Sequence, residues 1–495
     1  MTCWPSRSRI LRHYRLARSV AVALPAAALL LSPHAAGAAE PRFKDLMGLN
    51  VMAGANAWSQ AYDPNLYAPV TNWIRDYHPL SWDLGNNSAN AATVNFRRSA
   101  NNADWDKVYT QWKDGAFKIN LCVQFDNFAP SSWSNMSGDA YTYGYRLATF
   151  AKTAYDGGQL VDSIQIGNEP GNEHHYTDAQ YTTIFRNMAA GIRAADPTIK
   201  IATAALTTGT NNNYLRNVAV LNGVDQSLYD IIDTHSYAHK TGYPTWEPSH
   251  PEDASLNYLK SVQNLINWRN QNAPGKQLTV SEFGYDSSTK PNNTTGTFKD
   301  FIDVTDRQQA QYITRSYLEF ARMDVDQAHV FYYNDSDEPT LFAGSGLTRN
   351  YVPKPSYHAV SHLMETLGDY KFDEVKKSVA NDVYVYEFMH SDDPNQLIWA
   401  VWSPTGTDRN VLMTLGDLPG TPDWAELMPE TAGGATQVSY TMLGSNQMQM
   451  MVGESPTYVY FDITPTAVPE PTFAGLLGIA SLAMLRRRAG RTRHE

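Results

Sequence analysis

Short apolar runs alternate with longer amphipathic stretches from Phe43 to Met364. This alternation is typical of parallel strands wrapped by helices, and eight such runs in about 320 residues suit a (β/α)₈ barrel. The predicted strands are Leu46–Val51, Trp73–Tyr77, Phe117–Phe125, Ile164–Gly167, Lys200–Leu206, Ile231–Ser236, Leu278–Ser281 and Ala328–Tyr333. Predicted helices between them include Tyr141–Tyr155, Asp178–Ala195, Ala254–Asn270 and Asp306–Met323.

The pattern changes after Leu367, where short strand-like runs are separated by Gly, Pro, Asp and Asn without a helical period. This pattern predicts a small all-β sandwich over residues 368–463. The expected fold class is therefore α/β, with a (β/α)₈ TIM barrel over residues 40–367 and the sandwich after it. The runs of the sandwich are Val383–Phe388, Leu397–Trp402, Val411–Leu415, Thr436–Thr441, Gln447–Met451 and Thr457–Phe461.

Residues 1–39 have the three parts of a secretory signal peptide. Five arginines from Arg7 to Arg18 come first, the apolar run Ser19–Leu31 follows, and the small residues Ala36–Ala39 come last. A basic start, a short apolar segment and a small-residue cleavage site define such a signal. We expect this segment to be removed on export.

The C-terminal segment, residues 464–495, has an equally ordered pattern. Val468-Pro469-Glu470-Pro471 precedes the apolar run Thr472–Leu485, and five arginines follow it. This order resembles the PEP-CTERM sorting signal of bacteria that carry an exosortase. The resemblance implies transient membrane attachment and processing by exosortase-type machinery. A plain membrane anchor is the alternative, since about fourteen apolar residues closed by arginines also fit a short stop-transfer segment.

The charge balance narrows the class of partner. Without the two terminal segments, 29 basic and 48 acidic residues remain, a net charge of −19. This excess of acid argues against nucleic acid and other anionic polymers and suits a neutral polysaccharide. Cys122 is the one cysteine outside the signal segment, so no disulfide is expected. The sequence has no phosphate loop or dinucleotide fingerprint, and we expect no cofactor.

Two glutamates are the candidate catalytic residues. Glu169 follows the predicted strand Ile164–Gly167, and Glu282 follows Leu278–Ser281. The carboxyl ends of barrel strands meet at the face where such barrels carry out their chemistry. Two carboxyls about 5–5.5 Å apart, one ionised and one protonated, can cleave a glycosidic bond with retention. A single Glu is more often a solvated loop residue, but two at such strand ends favour a catalytic pair.

The motifs Asn168-Glu169-Pro170 and Ser281-Glu282-Phe283-Gly284 resemble those of the clan A glycoside hydrolases, the retaining (β/α)₈ glycosidases. The resemblance implies that Glu169 is the acid/base and Glu282 the nucleophile. A small β domain after the barrel is similar to that of the xylosidase-like and glucuronidase-like members of the clan.

Four further residues are candidates for sugar binding. The clan resemblance implies that His235 and Tyr237 line the sugar site and that Tyr237 orients the nucleophile. Asn168 is expected to bind the hydroxyl beside the reacting carbon. Arg75, on the second strand, is expected to reach the nucleophile and help keep it ionised. The alternatives are that Asn168 caps the following turn, that His235 and Tyr237 pack in the core, and that Arg75 forms a plain ion pair with Asp76 or another acid.

Aromatic and acidic residues near the predicted strand ends are less specific. Trp246 and Tyr333 are expected to stack on sugar faces, with core packing as the alternative. Tyr333 stands where many clan members have Trp. His174 and His175 lack a partner set at ligand spacing, so no catalytic metal is expected. The acidic cluster Asp335–Glu338 leaves a structural Ca²⁺ open.

These observations together predict an exported retaining glycoside hydrolase. Its expected substrate is a neutral, β-linked plant or algal polysaccharide or the oligosaccharides derived from it. The sugar, the linkage, and endo or exo action stay open. The main alternative is a surface carbohydrate-binding protein without turnover, and a weaker one is a surface-layer structural protein.

Overall fold

A computed structural model describes residues 41–52, 64–156, 158–208 and 215–464. The predicted signal peptide and the predicted motif, apolar run and arginines of the sorting signal lie outside these residues. No helix in the described ranges is both long and apolar enough to cross a membrane.

Eight parallel strands close into a barrel, in which β4 pairs with both β3 and β5 and β1 pairs with both β2 and β8. The TIM-barrel prediction is therefore confirmed, and each predicted strand overlaps an observed one. The strands are β1 Met47–Val51, β2 Trp73–Pro79, β3 Lys118–Gln124, β4 Ser163–Ile166, β5 Lys200–Thr207, β6 Ile231–His235, β7 Gln277–Phe283 and β8 Gln327–Val330.

Helices surround the barrel. Two long ones, α7 and α10, begin with capping boxes in which Thr177 pairs with Gln180 and Thr305 with Gln308, so that the first backbone N–H groups are satisfied. The helices are α1 Phe43–Leu46, α2 Pro64–Tyr67, α3 Leu80–Leu84, α4 Trp105–Asp114, α5 Met136–Thr153, α6 Pro170–Glu173, α7 Asp178–Ala195, α8 Asn217–Leu221, α9 Tyr258–Asn272, α10 Asp306–Arg322 and α11 Pro355–Leu367.

The barrel interior is polar where the strands end. On β2, Ile74 is buried in the hydrophobic core, whereas its neighbour Arg75 is equally buried but hydrogen-bonded to polar side chains of other strands. Successive side chains on a strand point to opposite faces, so Arg75 faces the interior when Ile74 faces the helices. A fully buried arginine requires partners, and these belong to the site described below.

Strand β8 is shorter than predicted. It ends at Val330, although Phe331 N–H still donates to Phe283 O of β7 and Tyr333 N–H donates to Asn50 O of β1. Between these two residues, Tyr332 bonds to a loop: its N–H donates to Ser345 O, and Leu347 N–H donates back to Tyr332 O. This loop contains a small sheet made of Asn334–Asp335, Thr348–Arg349 and Val352–Pro353. The predicted strand end at Tyr333 was therefore wrong, because an apolar aromatic run also suits a buried loop.

Two antiparallel sheets follow the barrel, as the sandwich prediction required. One has six strands in the order β9–β10–β11–β17–β13–β14, and the other has three in the order β12–β16–β15. The strands are β9 Tyr370–Ser378, β10 Tyr384–His390, β11 Gln396–Trp402, β12 Val411–Gly416, β13 Trp424–Leu427, β14 Thr436–Gln437, β15 Tyr440–Met442, β16 Gln447–Val452 and β17 Thr457–Asp462.

Two strands of the sandwich were not predicted, and one predicted strand is divided. Strand β9 is largely polar and half-exposed, so its sequence lacks the apolar signal of a strand. Strand β13 has only four residues. The predicted run Thr436–Thr441 contributes β14 to one sheet and β15 to the other, because the chain crosses between the sheets there.

The six-stranded sheet is apolar on both faces. Trp399, Val401 and Val459 belong to the core between the two sheets. Tyr386 and Trp402 belong to the same core cluster as the barrel residues. The sandwich therefore completes the hydrophobic core of the barrel as well as its own.

A buried ion pair, which we call the junction pair, lies where the barrel meets the sandwich. Arg315 on α10 donates from Nε to Glu252 Oε1 at 2.8 Å, and Nη1 donates to the carbonyl oxygen of Thr405 at 3.0 Å. Trp402 of the sandwich donates its indole N–H to Glu252 at 2.7 Å. Burial alone would raise the pKa of Glu252, but the charges and hydrogen bonds of Arg315 and His250 together outweigh it, and the pKa falls to about 2.

Candidate active site

Glu169 and Glu282 lie at the carboxyl ends of two barrel strands. Glu169 follows β4 as the residue that caps α6, and Glu282 is the penultimate residue of β7, where it is paired with His235 at the end of β6. One oxygen of each carboxylate and one ring nitrogen of His235 all lie within 4.8 Å of one another. The structure thus brings the two predicted catalytic residues together on the expected face of the barrel.

Three donors surround the carboxylate of Glu282. Its Oε1 accepts hydrogen bonds from Arg75 Nη1 at 3.0 Å and from the Tyr77 hydroxyl at 2.6 Å. Its Oε2 accepts from the Tyr237 hydroxyl at 2.9 Å. One of these donors is a cation with no exposed surface, so the site stabilises a negative charge on Glu282 and fixes the plane of its carboxylate.

Glu169 has a different environment. His235 Nδ1 lies 2.6 Å from its Oε1, and Asn172 donates to its Oε2 at 2.8 Å. Ser281 Oγ donates to Asp233 at 2.6 Å, so it has an oxygen lone pair rather than a proton to offer His235 Nε2 at 3.0 Å. The Nε2 atom therefore carries a hydrogen, and the contact between Nδ1 and Glu169 contains a single proton that either residue can hold.

The pKa of His235 reflects this arrangement. Burial lowers it, but the charge of Glu282 and the hydrogen bond with Glu169 outweigh burial, and the net pKa lies above the ordinary value. Asp233, behind His235, is fully buried, and burial raises its pKa to about 6. A chain of titratable groups thus runs from the barrel interior to Glu169.

Asn168 has its amide orientation fixed from both sides. Its Oδ1 accepts from Arg75 Nη2 at 2.8 Å, and its Nδ2 donates to Glu173 Oε1 at 3.0 Å. Because a guanidinium can only donate and a carboxylate oxygen can accept, the amide cannot be turned around without losing both bonds. Gln124 also donates to Glu173 Oε1, at 3.3 Å, while Oε2 is buried with no hydrogen-bond partner in the described part of the chain.

Arg75 is the residue that links these groups. Its guanidinium contacts Glu282, as predicted from the sequence, and it also contacts Asn168. Asp76 lies on the opposite face of β2, where it accepts from the Tyr109 hydroxyl at 3.2 Å, and it is not the partner of Arg75. The other polar partners of Arg75 are Asn50, Tyr77, Gln165 and the sulfur of Cys122.

A cleft of about 420 Å³ opens above the two glutamates. Aromatic and apolar side chains form much of its lining, and amide and carboxylate groups form the rest. The lining residues are Met52, Tyr77, Pro79, Trp82, Gln124, Asp126, Asn127, Asn168, Glu169, Glu282, Phe331 and Phe342. A cleft with both apolar and hydrogen-bonding surfaces suits a sugar ring, which has an apolar face and polar edges.

Two predicted sugar-stacking residues do not line this cleft. Tyr333 is buried with its ring centroid 4.5 Å from that of Tyr67, so it packs in the core cluster. Trp246, in the loop after β6, packs against Phe298 of the loop after β7, with ring centroids 5.4 Å apart. Phe331, which immediately follows β8, lines the cleft instead.

Several residues of the site were not predicted from the sequence. Tyr77 is two residues after Arg75, and residues i and i+2 of a strand lie on the same face. Its position beside Arg75 could therefore have been predicted from the sequence. Phe342 lies in the loop after β8, where it contacts the Tyr237 ring at 4.9 Å, and its position has no sequence signal. Glu173 and Asp126 are surface-like residues by sequence and become part of the site through the α6 turn and the loop after β3.

Glu169, His235 and Glu282 are also residue types that bind divalent metals. Both oxygens of Glu282 already accept hydrogen bonds, and His235 Nδ1 is engaged by Glu169. This donor set fits proton transfer better than metal coordination. A second acidic group, Asp373, Glu374 and Glu387, lies on the sandwich and includes the ion pair of Lys376 with Glu374.

The chain was also compared with known proteins. No family model matches it, and no curated protein matches it. A solved family 39 glycoside hydrolase from the gut symbiont Bacteroides cellulosilyticus WH2 is similar over 85% of this chain and 81% of its own, with 14% identity and a TM-score of 0.62. A GH51 arabinofuranosidase from Xanthomonas axonopodis pv. citri is similar over 85% and 97%, with 11% identity and a TM-score of 0.59.

A GH30 endoxylanase from Clostridium papyrosolvens C71 is similar over 86% of this chain and 97% of its own, with 13% identity and a TM-score of 0.53. These solved structures belong to families of the clan A glycoside hydrolases, the clan that the sequence motifs resemble. At such identities the similarity shows a shared fold.

Proposed function

We propose that this protein is a retaining glycoside hydrolase that cleaves β-glycosidic bonds in a neutral plant or algal polysaccharide or its oligosaccharides. The observation that carries the proposal is that one carboxylate oxygen of Glu169 lies within 4.8 Å of one carboxylate oxygen of Glu282. The two carboxylates have different hydrogen-bond partners and therefore different electrostatic environments. Retention needs carboxyls about 5–5.5 Å apart, whereas inversion needs about 6.5–9.5 Å to hold a water between them. The similarity of the whole fold to solved glycosidases supports the same reaction class.

In the first step, Glu282 attacks the anomeric carbon while Glu169 gives a proton to the departing glycosidic oxygen. The donors Arg75, Tyr77 and Tyr237 keep Glu282 in one orientation, which favours attack from a single direction. The bond to the leaving group breaks as the glycosyl ester forms, and the leaving sugar departs with the proton of Glu169.

In the second step, water attacks the anomeric carbon of the ester and Glu169 takes the proton of that water. The ester bond breaks, Glu282 regains its charge, and the sugar leaves with its original anomeric configuration. Because His235 shares a proton with Glu169, it stabilises both protonation states that Glu169 must adopt.

A neutral substrate is supported by the charges of the cleft. Asp126, Glu169 and Glu282 line it, and its described lining contains no Lys or Arg. A uronate or sulfated sugar would meet these carboxylates without a compensating cation. The net charge of −19, counted without the terminal segments, also disfavours an anionic substrate at longer range.

Export and surface display belong to the same proposal. The basic and apolar pattern of residues 1–39 supports secretion, and the order of motif, apolar run and arginines supports processing near Glu470. Mass spectrometry of the native surface protein tests this. Peptides spanning Glu470 to Arg486 in the mature form would indicate a retained membrane anchor instead.

The catalytic proposal is tested with three variants on a panel of β-linked polysaccharides and 4-nitrophenyl β-glycosides. Glu282→Gln should lower kcat by at least about 10³-fold on every substrate, because it removes the attacking group. Glu169→Ala should lose natural substrates but retain turnover of aryl glycosides whose leaving group needs no proton, and azide should restore part of the rate. Glu338→Gln, an exposed residue paired with Lys290, is the control and should leave all rates unchanged.

Two outcomes would contradict the proposal. If the wild type binds glycans but hydrolyses none of the panel, the protein is a carbohydrate-binding protein on a glycosidase-like fold. If Glu169→Ala loses aryl and natural substrates equally and azide has no effect, Glu169 is not the acid/base.

A further inference from the structure

Glu173 is a half-buried residue with a buried Oε2 atom, and the proposed reaction steps do not use its carboxyl group. It lies at the end of the single turn α6, and its backbone N–H donates to the carbonyl of Glu169 at 2.8 Å. This turn brings Glu173 back beside Asn168, five residues earlier in the chain. The bond from Asn168 Nδ2 to Glu173 Oε1, at 3.0 Å, is the only hydrogen bond that the amide nitrogen donates within the described residues.

We propose that Glu173 is a positioning residue, which holds Asn168 so that its remaining amide hydrogen faces the hydroxyl beside the anomeric carbon of a bound sugar. This inference rests on the proposed glycosidase function and extends it to a residue that does not itself touch the substrate. Asn168 lines the cleft, and its amide group has two hydrogens, of which Glu173 accepts one.

The geometry explains why Asn168 needs a second hydrogen bond, to an acceptor. Arg75 fixes the oxygen end of the amide, but one bond leaves the group free to rotate about its own axis. The bond to Glu173 removes that freedom, and Gln124 holds Glu173 Oε1 in place from the cleft side. A hydrogen bond that gains strength in the transition state requires such prior orientation.

The protonation of Glu173 is compatible with this role. Burial raises its pKa to about 7, and the nearby charges of Glu169 and Asp126 act in the same direction, whereas the bonds from Asn168 and Gln124 lower it. Near neutral pH the group is therefore close to half-protonated, and it places less than a full negative charge beside Glu169. Its Oε1 accepts hydrogen bonds in both protonation states.

The test uses the 4-nitrophenyl β-glycoside that the wild type hydrolyses best, together with its 2-deoxy counterpart. Glu173→Leu removes the acceptor and should lower kcat/KM about 10- to 100-fold on the substrate with the 2-hydroxyl, chiefly through kcat. On the 2-deoxy substrate, the kcat/KM of the variant and that of the wild type should agree within about threefold. Glu173→Gln retains an acceptor oxygen and should keep most of the rate on both substrates.

The double variant of Glu173→Leu with Asn168→Ala separates positioning from general damage. If Glu173 acts through Asn168, the double variant should be no slower than Asn168→Ala alone. Glu173→Thr, which is polar but too short to reach Asn168, serves as the variant if Glu173→Leu does not fold. Glu338→Gln is again the matched control at an exposed carboxylate.

The inference is overturned if Glu173→Leu slows both substrates by the same factor, or if its effect adds fully to that of Asn168→Ala. Either result would occur in an enzyme that still hydrolyses glycosides, so the proposed function would stand. If the wild type hydrolyses no glycoside at all, the proposed function fails, and the positioning role is rejected with it.

Discussion

Two buried ionic networks in this molecule have opposite electrostatic character. At the junction pair, Arg315 and His250 contact Glu252 and together lower its pKa to about 2. In the catalytic cleft, Arg75 is shared among several partners, and burial raises the pKa of Glu173 to about 7 and of Asp233 to about 6. The junction thus favours the charged form of Glu252, whereas the surroundings of the cleft oppose the ionisation of Glu173 and Asp233.

The difference shows how one protein separates stability from chemistry. A carboxyl with a lowered pKa stabilises the fold wherever it is ionised, and a carboxyl with a raised pKa opposes folding once the pH removes its proton. Carboxyls of the second kind cluster at functional sites. Here they are Glu173 and Asp233, which are hydrogen-bonded to Asn168 and Ser281 and take no part in the proposed steps themselves. The carboxylate of the junction pair is paired with a cation instead.

Removal of the cation of the junction pair should have the largest effect on stability. Arg315→Met should lower the free energy of unfolding by about 3–5 kcal/mol, because buried Glu252 loses its guanidinium partner and keeps only the contacts of Trp402 and His250. Urea denaturation measures this, and Glu338→Gln at an exposed pair should change it by less than about 1 kcal/mol. A loss from Arg315→Met no larger than that of the control would show that the junction pair does not stabilise the fold.

The pH dependence of stability should differ in sign between Glu173 and Glu252. The folded pKa of Glu173 is about 7 against 4.5, so its contribution is fully present at low pH and is lost as the pH rises from about 4.5 to 7. The contribution of Glu252 has the opposite sign, being present above about 4.5 and lost as the pH falls towards 2. Between pH 5 and 8, the ionisation of Glu173 should therefore lower the free energy of unfolding.

Glu173→Gln isolates this part of the pH dependence. The variant should lose about 2–3 kcal/mol less than the wild type between pH 5 and 8, because it has no proton to release there. Denaturant unfolding across this range provides the measurement. Identical slopes for the two proteins would mean that Glu173 ionises in the folded state at its ordinary pKa.

The smallest expected effect concerns a single hydroxyl in the cleft. Tyr77→Phe removes the 2.6 Å hydrogen bond to Glu282 and should lower kcat about tenfold, with little change in the free energy of unfolding. Tyr145→Phe, at an exposed tyrosine, is the matched control. Steady-state kinetics decides the matter, since an increase in KM alone would assign Tyr77 to substrate binding rather than to the orientation of Glu282.

The elements that could be predicted are those whose signal is local. The apolar runs before Glu169 and Glu282 identify strands, and the carboxyl ends of barrel strands necessarily meet. His235 and Tyr237 fall on one face by alternation, and both contact the predicted pair. The β-sandwich was predictable for the same reason, since its central strands are short apolar runs.

What could not be predicted depends on loops. The conformation of the loop after β8 brings Phe342 rather than Tyr333 to the cleft, and that of the loop after β6 packs Trp246 among other aromatics. Glu173 joins the site through a helical turn of four residues, too short for a periodic signal. Tyr77 is the exception, because its spacing from Arg75 already placed it on the interior face.

The two apolar faces of the six-stranded sheet have a consequence for modularity. Its inner face shares a core with the second sheet, and its outer face shares one with the barrel. Expression of residues 40–367 alone would expose that barrel surface and would leave the carboxylate of Glu252 without the indole N–H of Trp402. Gene fusions or domain exchanges that treat the barrel as a portable catalytic unit should therefore retain the chain through the last strand of the sandwich.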